Sequence, residues 1–134
     1  MKYLITGGAG FIGSNLANKL AEDNSKIVII DNLSRKGAKK NLDWLLANHP
    51  KKIEFIKADV TKDCVILDKA VSSSDVVFHL AAQVAVTTSV IDPRNDFMIN
   101  ALGSFNVLEA ARKAKHSPIM LYTSTNKVYG GMEN

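Results

Sequence analysis

The chain has 134 residues, 46% of them apolar and 22% charged, with a mean hydropathy of zero. A chain of this length buries about two-thirds of its extended surface, enough for one core without metal or disulfide staples, and its composition is neither that of a disordered segment nor that of a membrane protein. A net charge of +4 invites a polyanion partner, but the basic residues are scattered and no nucleic-acid or membrane surface is expected. The densest run, Arg35-Lys36-Gly37-Ala38-Lys39-Lys40, is short, carries no interleaved aromatics and reads as a solvated loop, a nucleotide phosphate being the more natural anion for it. A single cysteine, Cys64, cannot form an internal disulfide, and no signal peptide or acylation motif is visible, so a reducing cytoplasm is expected.

In chain order, Lys2 to Thr6 is a short apolar run. Phe11 to Asn24 has helical spacing through Ile12, Leu16 and Leu20, and Lys26 to Asp31 is a continuous Ile/Val run. Leu42, Leu45 and Leu46 mark a short helix ending before His49-Pro50, followed by a strand from Ile53 to Ala58. Thr61 or Asp63 opens a helix with Cys64, Leu67 and Val71 on one side, Cys64 being read as a small core residue. Asp75 to Leu80 is a fourth strand. Asp92-Pro93 is a helix start, an N-cap carboxylate followed by proline at the first helical position. From there Phe97, Ala101, Phe105, Leu108 and Ala111 keep a 3.6-residue period to about Lys115, and Pro118 to Thr123 gives a fifth strand.

Near-continuously apolar strands separated by helices are buried on both faces and pair in parallel through right-handed crossovers. The predicted class is therefore α/β, a doubly wound parallel sheet of Rossmann type in three α/β/α layers, with strand order 3-2-1-4-5 and its switch point beside the first strand.

The first strand runs into Gly7-Gly8-Ala9-Gly10-Phe11-Ile12-Gly13, with glycines at positions 1, 4 and 7 of a turn that opens a helix. Gly7 permits a sharp turn, Gly10 has no Cβ to hold a diphosphate off the backbone, and Gly13 permits close packing of the helix. The exposed N–H groups and dipole of the first helical turn favour an anion. Any tight strand-to-helix turn could use small residues, but this one follows an apolar strand and precedes Asp31 at the end of the second strand by 18 residues. A carboxylate there accepts from both hydroxyls of an adenosine ribose and repels a 2′-phosphate. NAD is accordingly predicted over NADP, with Arg35 and Lys36 pulling the other way.

Together with this loop, Asp31-Asn32-Leu33-Ser34, Asp59-Val60, His79-Leu80-Ala81-Ala82, Thr123-Ser124-Thr125 and Val128-Tyr129-Gly130 resemble the extended short-chain dehydrogenase/reductase superfamily over the whole chain. The resemblance implies that Asp59 and Val60 meet the adenine ring and that Leu80, Ala81, Ala82 and Gln83 line the nicotinamide side. The plainer readings are a helix cap for Asp59 and tight packing for Ala81-Ala82. With Phe11, Ile12 and Asn32, these complete the predicted cofactor site. His79 is read as a buried structural histidine, with a contact near the cofactor as the alternative.

Within the superfamily, Asp31 to Ala38, Gln83 to Ser89 and Ser124 to Gly130 are most similar to enzymes that invert C2 of a CDP-linked dideoxyhexose by transient oxidation on a retained NAD. That likeness implies a catalytic hydroxyl at Thr125 and a nucleotide sugar within reach of Thr87 and Thr88; no metal ligands are expected. Sugar-nucleotide dehydratases carry Asp-Glu after the threonine, where this chain has Asn126 and Lys127 and so lacks their proton-transfer groups. The Tyr-x-x-x-Lys base of the superfamily has no counterpart: four residues after Tyr3, Tyr122 and Tyr129 stand Gly7, Asn126 and Glu133.

Residues 1–134 are therefore expected to be the N-terminal part of an NAD-binding domain, truncated after its fifth strand, inactive alone, with a substrate domain beyond Asn134. The resemblance also implies self-association through the helix from Arg94 to Lys115. A non-catalytic NAD-binding module and a related 4-epimerase or dehydratase are the alternatives.

Overall fold

A computed structural model of the chain describes residues 1–23 and 25–125. The expectations placed on Asn24, Asn126, Lys127, Val128, Tyr129, Gly130 and Glu133 lie outside the described residues.

Five parallel strands, β1 (Lys2–Thr6), β2 (Lys26–Asp31), β3 (Ile53–Lys57), β4 (Val76–His79) and β5 (Ile119–Tyr122), form one sheet in the order β3-β2-β1-β4-β5, as predicted. The continuous apolar runs divide between its faces because successive side chains on a strand point oppositely. Leu4, Val28, Ile30 and Val77 face one way, onto α3 (Cys64–Ser72) and α6 (Gly103–Lys113), where Leu67, Val71, Val107 and Ala110 complete that core. Ile5, Ile27 and Ile29 face the other way, onto α1 (Phe11–Glu22) and α2 (Ala38–Asn48), meeting Ala17, Ala21 and Leu45. Among the described residues no helix is long and apolar enough to cross a membrane.

Three local expectations are corrected. Cys64 is exposed: it begins α3, whose buried face starts one turn later at Leu67. A short helix, α4 (Val86–Ile91), occupies a stretch that carried no helical expectation, with none of its residues buried. The helix beginning at Asp92-Pro93 is interrupted. It runs as α5 (Pro93–Phe97), capped by the Asp92 carboxylate accepting from Asn95 N–H, then as a π-helical turn (Met98–Leu102), then as α6. The wider turn shifts the helical phase, so the periodic residues Phe97, Ala101, Phe105 and Leu108 face outward while Gly103, Val107 and Ala110 are buried. Gly103 permits this, since a Cβ there would lie 2.7 Å from Val60 Cγ2.

Candidate functional site

The loops leaving the C-terminal ends of the strands surround a cleft of about 590 Å³ beside the switch point between β1 and β4, where open α/β sheets bind their ligands. After β1 it is lined by Gly7, Gly10, Phe11, Ile12 and Gly13; after β2 by Asp31 and Asn32; after β3 by Asp59 and Val60; and after β4 by Leu80, Ala81, Ala82 and Gln83. Every residue predicted to hold a cofactor is thus brought to one cavity. Thr87 and Thr88 are instead exposed on α4, and Thr125 is exposed beyond β5; none of the three lines the cleft. Ser34, Ala38 and Thr123, which lie in the quoted motif stretches but were given no role, also line it, as do Asn95 and Ile99, which carried no sequence signal.

The cavity exists because backbone approaches backbone. Gly7 turns off β1 with φ of +70°, and a Cβ on it would stand 2.7 Å from Ala81 N. A Cβ on Gly13 would stand 2.5 Å from Gly7 O, so the start of α1 is pressed onto the loop that precedes it. The N-cap is Gly10, and no side chain caps the helix. The first N–H groups of an α-helix have no partner within it. Here they open into the cleft, beside the apolar side chains of Phe11 and Ile12, which are 82% and 66% exposed.

Asp31 stands at the opposite rim. Its Oδ2 accepts from Ala9 N–H at 3.1 Å and its Oδ1 from Leu33 N–H at 2.8 Å, so the carboxylate ties the glycine loop to the end of β2. A carboxylate has about four lone-pair positions, which leaves room for two further donors. Leu33 adopts φ of 58°, a left-handed conformation costing a leucine on the order of 1–2 kcal/mol. The Asp31 bond and packing of its side chain against Ala9, Ala38 and Leu42 hold it there.

Asp59 braces the neighbouring wall. Its Oδ1 accepts from the Thr61 N–H and hydroxyl at 2.9 and 2.7 Å, and its Oδ2 from Asn32 Nδ2 at 3.2 Å. Burial raises its pKa, but these hydrogen bonds and the Lys62 charge outweigh burial and leave the carboxyl below its ordinary range. It is therefore an anion that organises two loops; it does not cap α3, whose N-cap is Asp63.

His79 is buried, as expected for a structural histidine, and burial pushes its pKa down to about 4. Its tautomer follows from its neighbours. The Ser104 hydroxyl donates to Asn100 O at 2.7 Å, so Ser104 Oγ accepts from His79 Nε2–H at 3.0 Å. Nδ1 is then bare and accepts from the Thr6 hydroxyl at 2.6 Å, while Thr6 Oγ1 receives a long bond of 3.4 Å from Ala81 N–H. Asn100, on the π-helical turn, accepts from Gln83 N–H at 2.8 Å and donates back to Gln83 O at 3.4 Å. The histidine and the asparagine thus fix the β4 wall of the cleft from behind.

A doubly wound sheet with an uncapped glycine loop and an acidic rim on its switch point defines a nucleotide-binding class of α/β protein. The chain matches the model of the GDP-mannose 4,6 dehydratase family over residues 4–134 and belongs to that family, within the extended short-chain dehydrogenase/reductases. It is 47% identical over 136 residues to CDP-paratose 2-epimerase of Salmonella typhi, an alignment covering 99% of this chain and 39% of that protein. Two similar solved structures contain NAD. One is UDP-glucose 4-epimerase of Thermus thermophilus, 38% identical with a TM-score of 0.70 over 84% of this chain and 34% of that one. The other is a dTDP-glucose 4,6-dehydratase of Streptomyces venezuelae, 27% identical with a TM-score of 0.87 over 100% of this chain and 42% of that one. The chain spans 39% of the length of the curated epimerase.

Proposed function

We propose that this chain binds NAD in the cleft and forms the dinucleotide-holding part of a nucleotide-sugar epimerase acting at C2 of a CDP-linked dideoxyhexose. The observation that carries the reading is the uncapped N-terminus of α1, built on Gly7, Gly10 and Gly13, opening into the cavity that Asp31 rims. Its free N–H groups would receive the diphosphate, Asp31 the adenosine ribose, Asn32, Asp59 and Val60 the adenine side, and Leu80, Ala81, Ala82 and Gln83 the nicotinamide side. Bound NAD supplies a hydride acceptor that returns the same hydride to the sugar. Thr125 is proposed to hydrogen-bond the reacting hydroxyl, with Thr87 and Thr88 toward the sugar. The 134 residues contain no Tyr-x-x-x-Lys pair, so the role proposed for them alone is binding without turnover. Identity of 47% to the CDP-paratose enzyme, against 40% and 33% to relatives named for UDP- and dTDP-linked sugars, favours this substrate class.

Titration of NAD and NADP against the protein and its Asp31→Ala variant tests the reading. NAD is expected to bind more tightly than NADP, and the substitution to weaken NAD by about tenfold or more and to abolish the preference, because two hydrogen bonds to a charged group are lost. Equal affinity for both dinucleotides, unchanged in the variant, would remove the ribose assignment.

The outward face of α5 and α6 supports self-association as a second property. Phe97, Phe105 and Leu108 are 64%, 59% and 51% exposed, and large apolar side chains left open along α5 and α6 favour an interaction surface there. Sedimentation is expected to show dimers that Phe105→Glu dissociates; a strict monomer at high concentration would count against it.

A further inference from the structure

Two side chains at the cleft act oppositely on a dinucleotide carrying a ribose 2′-phosphate: Asp31 repels that phosphate, and a guanidinium within reach attracts it. Arg35 leaves the chain four residues after Asp31 and lines the same cavity. Among the described residues it has no carboxylate partner within 4.0 Å. The loop that presents it is wound on itself: Leu33 N–H bonds to Asp31, Ser34 N–H to Asn32 Oδ1, and Ala38 N–H to Arg35 O. The Arg35 guanidinium forms no ion pair with Asp31. Its Nη2 reaches the opposite wall and donates to Gln83 Oε1 at 2.5 Å, across 48 residues of sequence.

Gln83 is a fixed post for that bond. Both polar atoms of its backbone are held by the Asn100 amide, and Asn100 Nδ2 donates to Asp96 Oδ1 at 2.9 Å, which also accepts from Ser89 Oγ at 2.7 Å. The neutral amide therefore positions a cation that the loop alone would leave free to swing.

We propose that Gln83 determines dinucleotide selectivity through Arg35: its amide holds the guanidinium on the β4 wall, away from the place beside Asp31 where a 2′-phosphate would lie. The proposal rests on the reading of the cleft as a dinucleotide site and deepens it. A phosphorylated ribose would have to draw Arg35 off Gln83, losing that hydrogen bond, while Asp31 repels it. An unphosphorylated ribose meets neither cost.

The test measures NAD and NADP dissociation constants for the wild type, Gln83→Leu, Gln83→Glu, Arg35→Ala and the two double variants, with far-UV circular dichroism confirming that each is folded. Gln83→Leu removes the acceptor and is expected to raise the ratio of NADP to NAD affinity by about fivefold. Gln83→Glu tightens the tether and is expected to lower that ratio, and both effects are expected to shrink toward nothing when Arg35 is alanine. An unchanged ratio in Gln83→Leu, or shifts of equal size on the Arg35→Ala background, overturns the proposal while leaving dinucleotide binding intact. A wild type that binds neither dinucleotide overturns the underlying reading and the proposal with it.

Discussion

Substitution of Gly7 by alanine is expected to cost about 3 kcal/mol of folding stability, the sum of a left-handed backbone penalty and an overpacked contact. The residue sits at φ of +70°, and its absent Cβ would lie 2.7 Å from Ala81 N, 2.8 Å from Ala81 Cα and 2.9 Å from Leu80 C. All three atoms are backbone, on a wall that β4 and Asn100 hold in place, so no side chain can rotate to relieve the contact. The relief available is separation of the β1 and β4 loops, which deforms the cleft that both line. Gly37 is the control. It has φ of +93°, and a Cβ added there would meet nothing within 4 Å, so Gly37→Ala is expected to cost about 1 kcal/mol from backbone strain alone. Thermal melting distinguishes the two, with a loss on the order of 10 °C for Gly7→Ala. Equal losses would mean that the close approach to Ala81 contributes nothing.

The second large effect is acid sensitivity centred on His79. An unfolded histidine titrates near 6.5, whereas burial holds the native ring near 4. Above pH 6.5 both states are neutral and the full stability is present. Between about pH 6.5 and 4 the unfolded chain takes up a proton that the native state refuses, so stability falls with falling pH, by about 2 kcal/mol at pH 5 and about 3 kcal/mol by pH 4. The refusal has a structural reason: Nδ1 already accepts from Thr6, Nε2–H already donates to Ser104, and the ring stacks on Tyr122 at a centroid distance of 5.9 Å. Urea unfolding at pH 7 and pH 5 measures the loss. His79→Asn keeps a donor and an acceptor at the site but does not titrate, and is expected to flatten the pH dependence while lowering stability at pH 7. The same pH slope in the variant and the wild type would rule His79 out as its origin. Because Thr6 also meets Ala81 N–H, charging His79 is expected to disturb the β4 wall of the cleft first.

The glycine loop and Asp31 were legible because each answers to a local rule, whereas Asn32, Asp59, Val60 and Leu80 to Gln83 came from the likeness to a known family, and Asn95 and Ile99 from nothing in the sequence. Gly7, Gly10 and Gly13 are spaced by what a strand-to-helix turn requires, and Asp31 ends an apolar run whose length is that of a buried strand. The strand order was legible too, since apolar strands alternating with helices leave few parallel arrangements, and their crossovers have one hand. Sequence was also sufficient for the burial of a histidine at the end of an apolar strand, though not for its protonation state or its partners.

Only the tertiary structure decided what depends on contacts between distant segments. The outward turn of Phe97, Ala101, Phe105 and Leu108 follows from a π-helical turn and from the fit of Gly103 against Val60, and helical periodicity carries no record of which face the core will take. Cys64 satisfies the period of α3 but begins it a turn before the sheet is covered. The Asp59 brace between Asn32 and Thr61, the Asn100 grip on Gln83 and the reach of Arg35 to the same glutamine join residues 17 to 48 positions apart or link separate loops. Spacing along a chain determines which faces and turns are available; closure of the sheet determines which of those side chains meet, because parallel strands bring together loops that the sequence keeps apart.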